Sequence, residues 1–253
     1  MASLFDGLRT FLFRFDKIQR VAIATVSVCV LTVGVCVFMF LTHRSRPLSS
    51  RNQTSPMQPC SVLEPAFDDS NDMVSLKEFG DAMRRLLQDG KYADLNCIAD
   101  AERSNKERVA GGRWKLHEFY SALTDFPRNA TAEERESNLK QIQSWVDATP
   151  ESITARVALA NVFVNYAWDA RGVGTSDTVS EDGWELFAKR LKKAKAVLDD
   201  ADALPVKCPE SYFVMQQIAL GQGWDKAQAE NLLETATAFA PDYYYYYRGF
   251  PTT

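Results

Sequence analysis

TPESITARVALANVFVNYAWDAR, residues 149–171, is the stretch on which the fold turns. Thr149 followed by Pro150 is a helix-start signal, an N-cap hydroxyl and then proline at the first helical position. The apolar residues that follow are Ile153, Val157, Leu159, Val162, Phe163, Tyr166 and Trp168. At 3.6 residues per turn they do not share one stripe. A helix that is apolar around most of its circumference belongs in the interior. The spacing therefore predicts a central, most buried helix from 150 to about 170, and hence a fold built by wrapping other helices around it.

The segments on either side supply those helices. Ser75-Leu-Lys-Glu78 matches a capping box. It opens a stripe of Leu76, Phe79, Met83, Leu86 and Leu87 that Gly90 closes. Tyr92, Leu95, Ile98 and Ala99 mark a second helix, which Gly111-Gly112 ends. A third covers 114–124, with Trp114, Leu116, Phe119, Tyr120 and Leu123. Thr131-Ala-Glu-Glu134 is another capping box, ahead of Leu139, Ile142, Trp145 and Val146. Beyond the central helix, a loop with Gly172, Gly174 and Gly183 leads into a long helix ending near Leu204. Cys208-Pro209 opens the next, stopped by Gly221 and Gly223, and Asp225 caps a last one that runs to Pro241. No segment shows sustained β alternation.

The turns are short, and Pro209 and Pro241 stand 32 residues apart at helix boundaries. Asp89-Gly-Lys-Tyr-Ala-Asp94 resembles the turn of a tetratricopeptide-type hairpin, a repeat of 34 residues. One hairpin cannot bury its own apolar face, so such units stack. The expected fold is all-α, a divergent tetratricopeptide-like array of antiparallel helical hairpins.

Residues 21–41, VAIATVSVCVLTVGVCVFMFL, are 21 residues without charge or proline. At ~1.5 Å per residue they reach across the hydrocarbon core. A signal-peptide core is shorter, about 7–15 residues, so an uncleaved transmembrane helix is expected. Arg9, Arg14, Lys17 and Arg20 precede it, and Arg44, Arg46 and Arg51 follow it. Four against three tilts the orientation toward a cytoplasmic N-terminus and a domain on the far side. Residues 1–20 form an amphipathic segment with Leu4, Phe5, Leu8, Phe11, Leu12 and Phe15 on one helical face. Residues 42–74 carry Pro47, Pro56, Pro59 and Pro65 and read as a flexible linker. The helical domain is then 75–247, with a tail at 248–253.

Composition narrows the function. Residues 75–253 hold 22 Lys+Arg against 27 Asp+Glu, which argues against nucleic acid as a partner. The five cysteines are Cys29, Cys36, Cys60, Cys97 and Cys208, and none forms a CxxC pair that would suggest zinc. Cys97 and Cys208 are expected to be buried free thiols, with a disulfide between them the alternative if the domain is extracytoplasmic. His43 and His117 are the two histidines, and His117 lacks the second histidine of HExxH because position 121 is serine. His117 reads as a half-exposed helix residue. No metal, cofactor or catalytic set is expected.

Three features invite a functional reading. The loop between the central and the long helix gathers Trp168, Arg171, Asp177, Glu181 and Trp184. It follows a helix rather than a strand, so its GxG is not a dinucleotide fingerprint. Lys189, Arg190, Lys192, Lys193 and Lys195 form a basic run whose acidic neighbours supply pairs such as Lys195–Asp199. Tyr243 to Tyr247 are five consecutive tyrosines, which no single helix face buries. Some are expected to be exposed or to line a groove.

An ordered set of short segments carries a family resemblance. It comprises Gly111-Gly-Arg-Trp-Lys-Leu116, Ala155-Arg-Val-Ala-Leu-Ala160, Tyr166-Ala-Trp-Asp-Ala-Arg-Gly172, Gly183-Trp-Glu-Leu-Phe187, Arg190-Leu191, Cys208-Pro209 and Gly221-Gln-Gly-Trp-Asp225. Together they resemble the bacterial DUF4034 family over about residues 80–247. The resemblance implies a helical, tetratricopeptide-like domain of unknown function and a bacterial source, with no catalytic residues to carry over. That family usually continues past the tyrosine-rich segment, so the last hairpin here is expected to lack a partner helix. The expected protein is a single-pass protein of the bacterial inner membrane, holding a helical-repeat module that binds a protein or peptide. The alternatives are an enzyme using Arg171, Asp177 and Glu181, and a scaffold acting through the basic helix.

Overall fold

The computed structural model describes Cys60, residues 72–127 and residues 130–248. The expected transmembrane helix 21–41 and amphipathic segment 1–20 lie outside the described residues, as do the tail beyond Arg248 and all of the linker but Cys60 and 72–74. Among the described residues, no helix is long and apolar enough to cross a membrane.

The described residues form eight α-helices and three 3₁₀ turns, with no strand. The helices are α1 (Asp72–Gln88), α2 (Tyr92–Asn105), α3 (Lys115–Thr124), α4 (Ala132–Ala148), α5 (Ile153–Arg171), α6 (Glu181–Ala201), α7 (Pro209–Gln222) and α8 (Lys226–Phe239). The 3₁₀ turns are Ala110–Gly112, Ser176–Thr178 and Tyr244–Arg248.

The layout follows from α5. Eleven of its residues are buried, from Ile153 to Ala167, on every side of the helix. It therefore needs neighbours all round. It lies along α6 for most of its length and also touches α2, α3, α4 and α7. α1 packs on α3, α3 on α5 and α5 on α7, so the odd-numbered helices make one row. α2, α4, α6 and α8 pack against members of that row.

Local chemistry sets several of the boundaries. Thr131 and Glu134 close a full capping box: Glu134 N–H donates to Thr131 Oγ1 at 3.2 Å and Thr131 N–H to Glu134 Oε2 at 2.7 Å. Asp225 and Gln228 do the same for α8. Gly90 turns the chain between α1 and α2 at φ 66°, a left-handed conformation open to glycine.

Two expected starts are displaced. α1 begins at Asp72, so Ser75 lies within its first turn and is buried instead of capping it. A Ser-x-x-Glu pattern caps only where the preceding residue leaves the helix, and here Met73 and Val74 stay helical. Thr149 is the C-cap of α4, its hydroxyl donating to Trp145 O at 2.9 Å. Pro150 sits in the turn, and Ser152 is the N-cap of α5, accepting from Ala155 N–H at 3.1 Å. Ser152 also donates to Asn96 Oδ1 of α2 at 2.6 Å, which anchors the start of α5.

Gly183, expected in the loop, lies inside α6, and Gly221, expected with Gly223 to end α7, lies in its last turn with Gly223 as the C-cap. A Cβ on Gly183 would stand 2.8 Å from Ala170 O, so glycine lets the first turn of α6 meet the last turn of α5. A Cβ on Gly221 would stand 2.4 Å from Leu191 Cδ1.

The cysteine expectation holds for Cys208 and is corrected for Cys97. Cys60 is disulfide-bonded to Cys97, and Cys208 is a buried free thiol. Cys60, twelve residues ahead of α1, folds back against the core beside α2.

Candidate functional site

The loop between α5 and α6 is built around Arg171. Its guanidinium lies 5.9 Å from the Trp168 ring centroid and 5.7 Å from that of Trp184. Nη1 donates to Gly172 O at 3.1 Å and Gly174 O at 3.0 Å. Both indoles meet Phe187 edge-on, at 5.0 and 5.7 Å. The fold thus brings Trp168, Arg171 and Trp184 together as one knuckle. Asp177 and Glu181 take no part in it. Asp177 is fully exposed, its carboxyl held below the usual range by a hydrogen bond from the Thr175 side chain and by its own backbone N–H. Glu181 is exposed in the first turn of α6, where the helix dipole favours a carboxylate. Nη1 of Arg171 is turned onto its own loop, and the knuckle exposes Trp184 in part and Val173 fully.

A larger concavity lies elsewhere, where α6 ends and α7 and α8 begin. Its volume is about 300 Å³. Ile153, Leu198, Tyr212, Met215, Trp224 and Leu232 make its apolar walls, and Asp199, Asp202, Lys207, Gln228 and Asn231 its polar margin. The Tyr212 ring is fixed from behind by Phe239 at 5.6 Å and Tyr246 at 6.3 Å. Lys195 Nζ sits 5.9 Å from the Trp224 ring centroid. Ile153 is shared with a second, smaller cavity of about 190 Å³, lined by Asn96, Asp100, Arg103, Glu151 and Val206 among others. The two cavities thus have Ile153, at the start of α5, in common.

The charges around the two cavities are unevenly exposed. Asp199 pairs with Lys195 and Asp202 with Lys207, each at 2.8 Å, and Asp100 pairs with Arg103. The side chains of Asp100, Asp199 and Asp202 are 55%, 53% and 81% exposed, while those of their partners Arg103, Lys195 and Lys207 are 8%, 36% and 34% exposed. Glu151 is exposed as well. The rim of the larger cavity thus carries its more exposed charges as carboxylates, with apolar walls beneath.

A third group is polar but closed. Glu210, in the first turn of α7, is fully buried. Nδ1 of His117 on α3 lies 3.1 Å from both of its carboxylate oxygens, and the Tyr243 hydroxyl donates to Oε2. Burial alone would lower the imidazole, but the Glu210 carboxylate overrides it and His117 is raised above its ordinary value. His117 also stacks on Tyr245 at 3.7 Å. Beside it, the Tyr120 hydroxyl is 3.4 Å from Cys208 Sγ, and burial pushes that thiol up. Tyr246 donates to Pro209 O at 3.3 Å, and Trp114 Nε1 to Asp242 O at 3.2 Å. This network seats the tyrosine run on α3 and α7: Tyr243, Tyr245 and Tyr246 are buried, and Tyr247 is exposed as the sequence led one to expect of part of the run.

His117 is thus mostly buried, against the half-exposed expectation, and Glu210 and Tyr243 were not anticipated as its partners. The available signal was a run of phenols that one helix face cannot hold, each hydroxyl needing a buried acceptor. Among the described residues, no group of three or more His, Cys, Asp or Glu side chains is placed to hold a metal ion.

A family model described as a domain of unknown function, DUF4034, matches residues 80–227. No curated protein and no solved structure matches the chain.

Proposed function

Since the chain belongs to the DUF4034 family, a family of domains of unknown function, its role has to be argued from its own surface, and we propose a membrane-tethered, tetratricopeptide-like helical module that binds a protein or peptide partner in the groove across α5, α6, α7 and α8. The observation that carries this is the groove itself: apolar walls beneath a margin whose exposed charges are carboxylates. Recognition sites combine an apolar pocket for an anchor side chain with a few polar groups that orient it. The partner that fits is a segment with a bulky apolar residue flanked by Lys or Arg. Its side chain replaces water against Met215, Leu232 and Tyr212, and its cations meet Asp199 and Asp202.

The tether is residues 21–41, read as a single span of a bacterial inner membrane with the N-terminus in the cytoplasm and the domain in the periplasm. It holds the groove close to one membrane face, so that partners in or at that membrane are met at raised local concentration.

The test uses the full chain in lipid nanodiscs and a fluorescent nonapeptide with a central Leu-Phe pair flanked by lysines. Its Kd is read by anisotropy against the same peptide flanked by glutamates. The lysine peptide is expected to bind at least about tenfold more tightly, and the double variant Asp199→Lys/Asp202→Lys to abolish that preference. Equal affinity for both peptides, or none for either with the fold intact, rejects the reading.

A further inference from the structure

The Cys60–Cys97 disulfide joins two half-buried residues, one on α2 and one in the chain leading from the expected span to the domain. Such bonds persist in oxidising compartments and are kept reduced in the bacterial cytosol. We infer that the helical domain faces the oxidising side of the membrane, and that the Cys60–Cys97 bond pins the tether to α2. The first part gives the orientation proposed above a ground separate from the basic residues, which stand four against three. Both parts rest on the anchor proposed above.

Position supports this independently of compartment. Cys60 packs against the core although it precedes α1 by twelve residues. Cys97 sits on α2 next to the fully buried Ile98, so the link is made to the body of the domain and not to a loose end. Cys208 is fully buried at the start of α7, which removes it from exchange with either partner.

The chemistry balances as thiol–disulfide exchange. The Cys60 and Cys97 thiols lose two protons and two electrons as their S–S bond forms. The electrons and protons pass to a disulfide-donating oxidoreductase of that compartment, which leaves as a dithiol. The consequence is a change of tether length. With the bond closed, residues 42–59 separate the span from the domain, 18 residues reaching at most ~60 Å. With it open, residues 42–71 do so, 30 residues reaching at most ~100 Å.

The test is a thiol count on the full-length chain in the membrane of a Gram-negative host. Cells are quenched in acid, and the protein is denatured and reacted with a maleimide polymer that adds a visible mass per thiol. Of five cysteines, three adducts are expected before reduction and five after. Cys60→Ser and Cys97→Ser are each expected to give four without reduction. A membrane-impermeant phosphine applied to intact spheroplasts is expected to raise the count from three to five. Five adducts before any reductant overturn the inference. So does a bond that only a membrane-permeant thiol can reach, because it would then lie on the cytosolic face. Alkaline carbonate extraction of the same membranes reports the anchor separately, so loss of the chain to the soluble fraction counts against the tether and not against the bond.

Discussion

The carboxylate of Glu210 is fully buried and is met by Nδ1 of His117 at 3.1 Å from each oxygen. The pair joins α3 to α7, and through Tyr243 it also holds the C-terminal segment. A buried carboxylate stripped of its cation is far more costly than the intact pair is stabilising. His117→Phe keeps an aromatic ring against Tyr245 and removes the charge together with the Nδ1 hydrogen bonds to Glu210. It is expected to destabilise the fold by about 3–5 kcal/mol, read by denaturant unfolding.

The same pair predicts a pH dependence. His117 is raised above its ordinary value near 6.5 by Glu210, with smaller help from Glu118 and Asp125, against the opposing effect of burial. A group whose pKa is higher folded than unfolded stabilises fully below the unfolded value and loses that contribution as pH rises through the folded one. Tm is therefore expected to fall as pH is raised from about 6.5 upward. In His117→Phe that part of the profile should flatten. A wild-type profile that rises over this interval would show the imidazole to be neutral in the fold.

Gly183 and Ala170 set the distance between α5 and α6. Alanine is favoured over glycine in a helix by about 1 kcal/mol. Here its Cβ would stand 2.8 Å from a backbone oxygen that cannot swing away. Gly183→Ala is expected to lose about 1–3 kcal/mol net, seen as a lower urea midpoint at unchanged slope. Gly221→Ala, whose nearest neighbours are side chains of Leu191 and Phe187, should lose less.

Arg171 ties the α5–α6 knuckle by two carbonyl hydrogen bonds and two indole faces. Arg171→Ala is expected to cost about 1–2 kcal/mol and to shift the emission of Trp184 to the red as it gains water. Arg171→Lys should recover little, because an ammonium lacks the planar fork that lies between the rings. If the alanine variant matched the wild type in both stability and emission, the knuckle would be a surface accident.

The sequence made α5 legible because burial on all sides leaves a pattern within one helix. Thr131 and Asp225 were legible for the same reason: a capping box is a contact over three residues. Ser75 and Thr149 were misread because their patterns are local while the choice of cap depends on where the preceding residues pack. The knuckle was partly legible, since Trp168, Arg171 and Trp184 lie within one loop, whereas Asp177 and Glu181 share that loop without sharing contacts. Glu210 and His117 meet across 93 positions and Cys60 and Cys97 across 37, and Ile153 and Trp224, 71 positions apart, line one cavity. No period or spacing in one chain records such meetings, which is why the groove and the buried pair emerge only in three dimensions.

The Cys60–Cys97 bond also makes a thermodynamic prediction that needs no membrane. It closes a loop with a sequence separation of 37. By loop-closure entropy such a bond removes about 3–4 kcal/mol of freedom from the unfolded chain. Reduction is therefore expected to lower stability by up to that amount in detergent-solubilised full chain, read as a drop in the guanidinium midpoint. The double variant Cys60→Ser/Cys97→Ser should start at the reduced midpoint and show no response to reductant. Cys208→Ser tests a different contact. It should keep the full reductant response and lose only about 1 kcal/mol for the disturbed Tyr120 contact. If reduction leaves the wild-type midpoint in place, the closed loop does not restrict the unfolded chain, and the bond's effect is confined to the length of the tether.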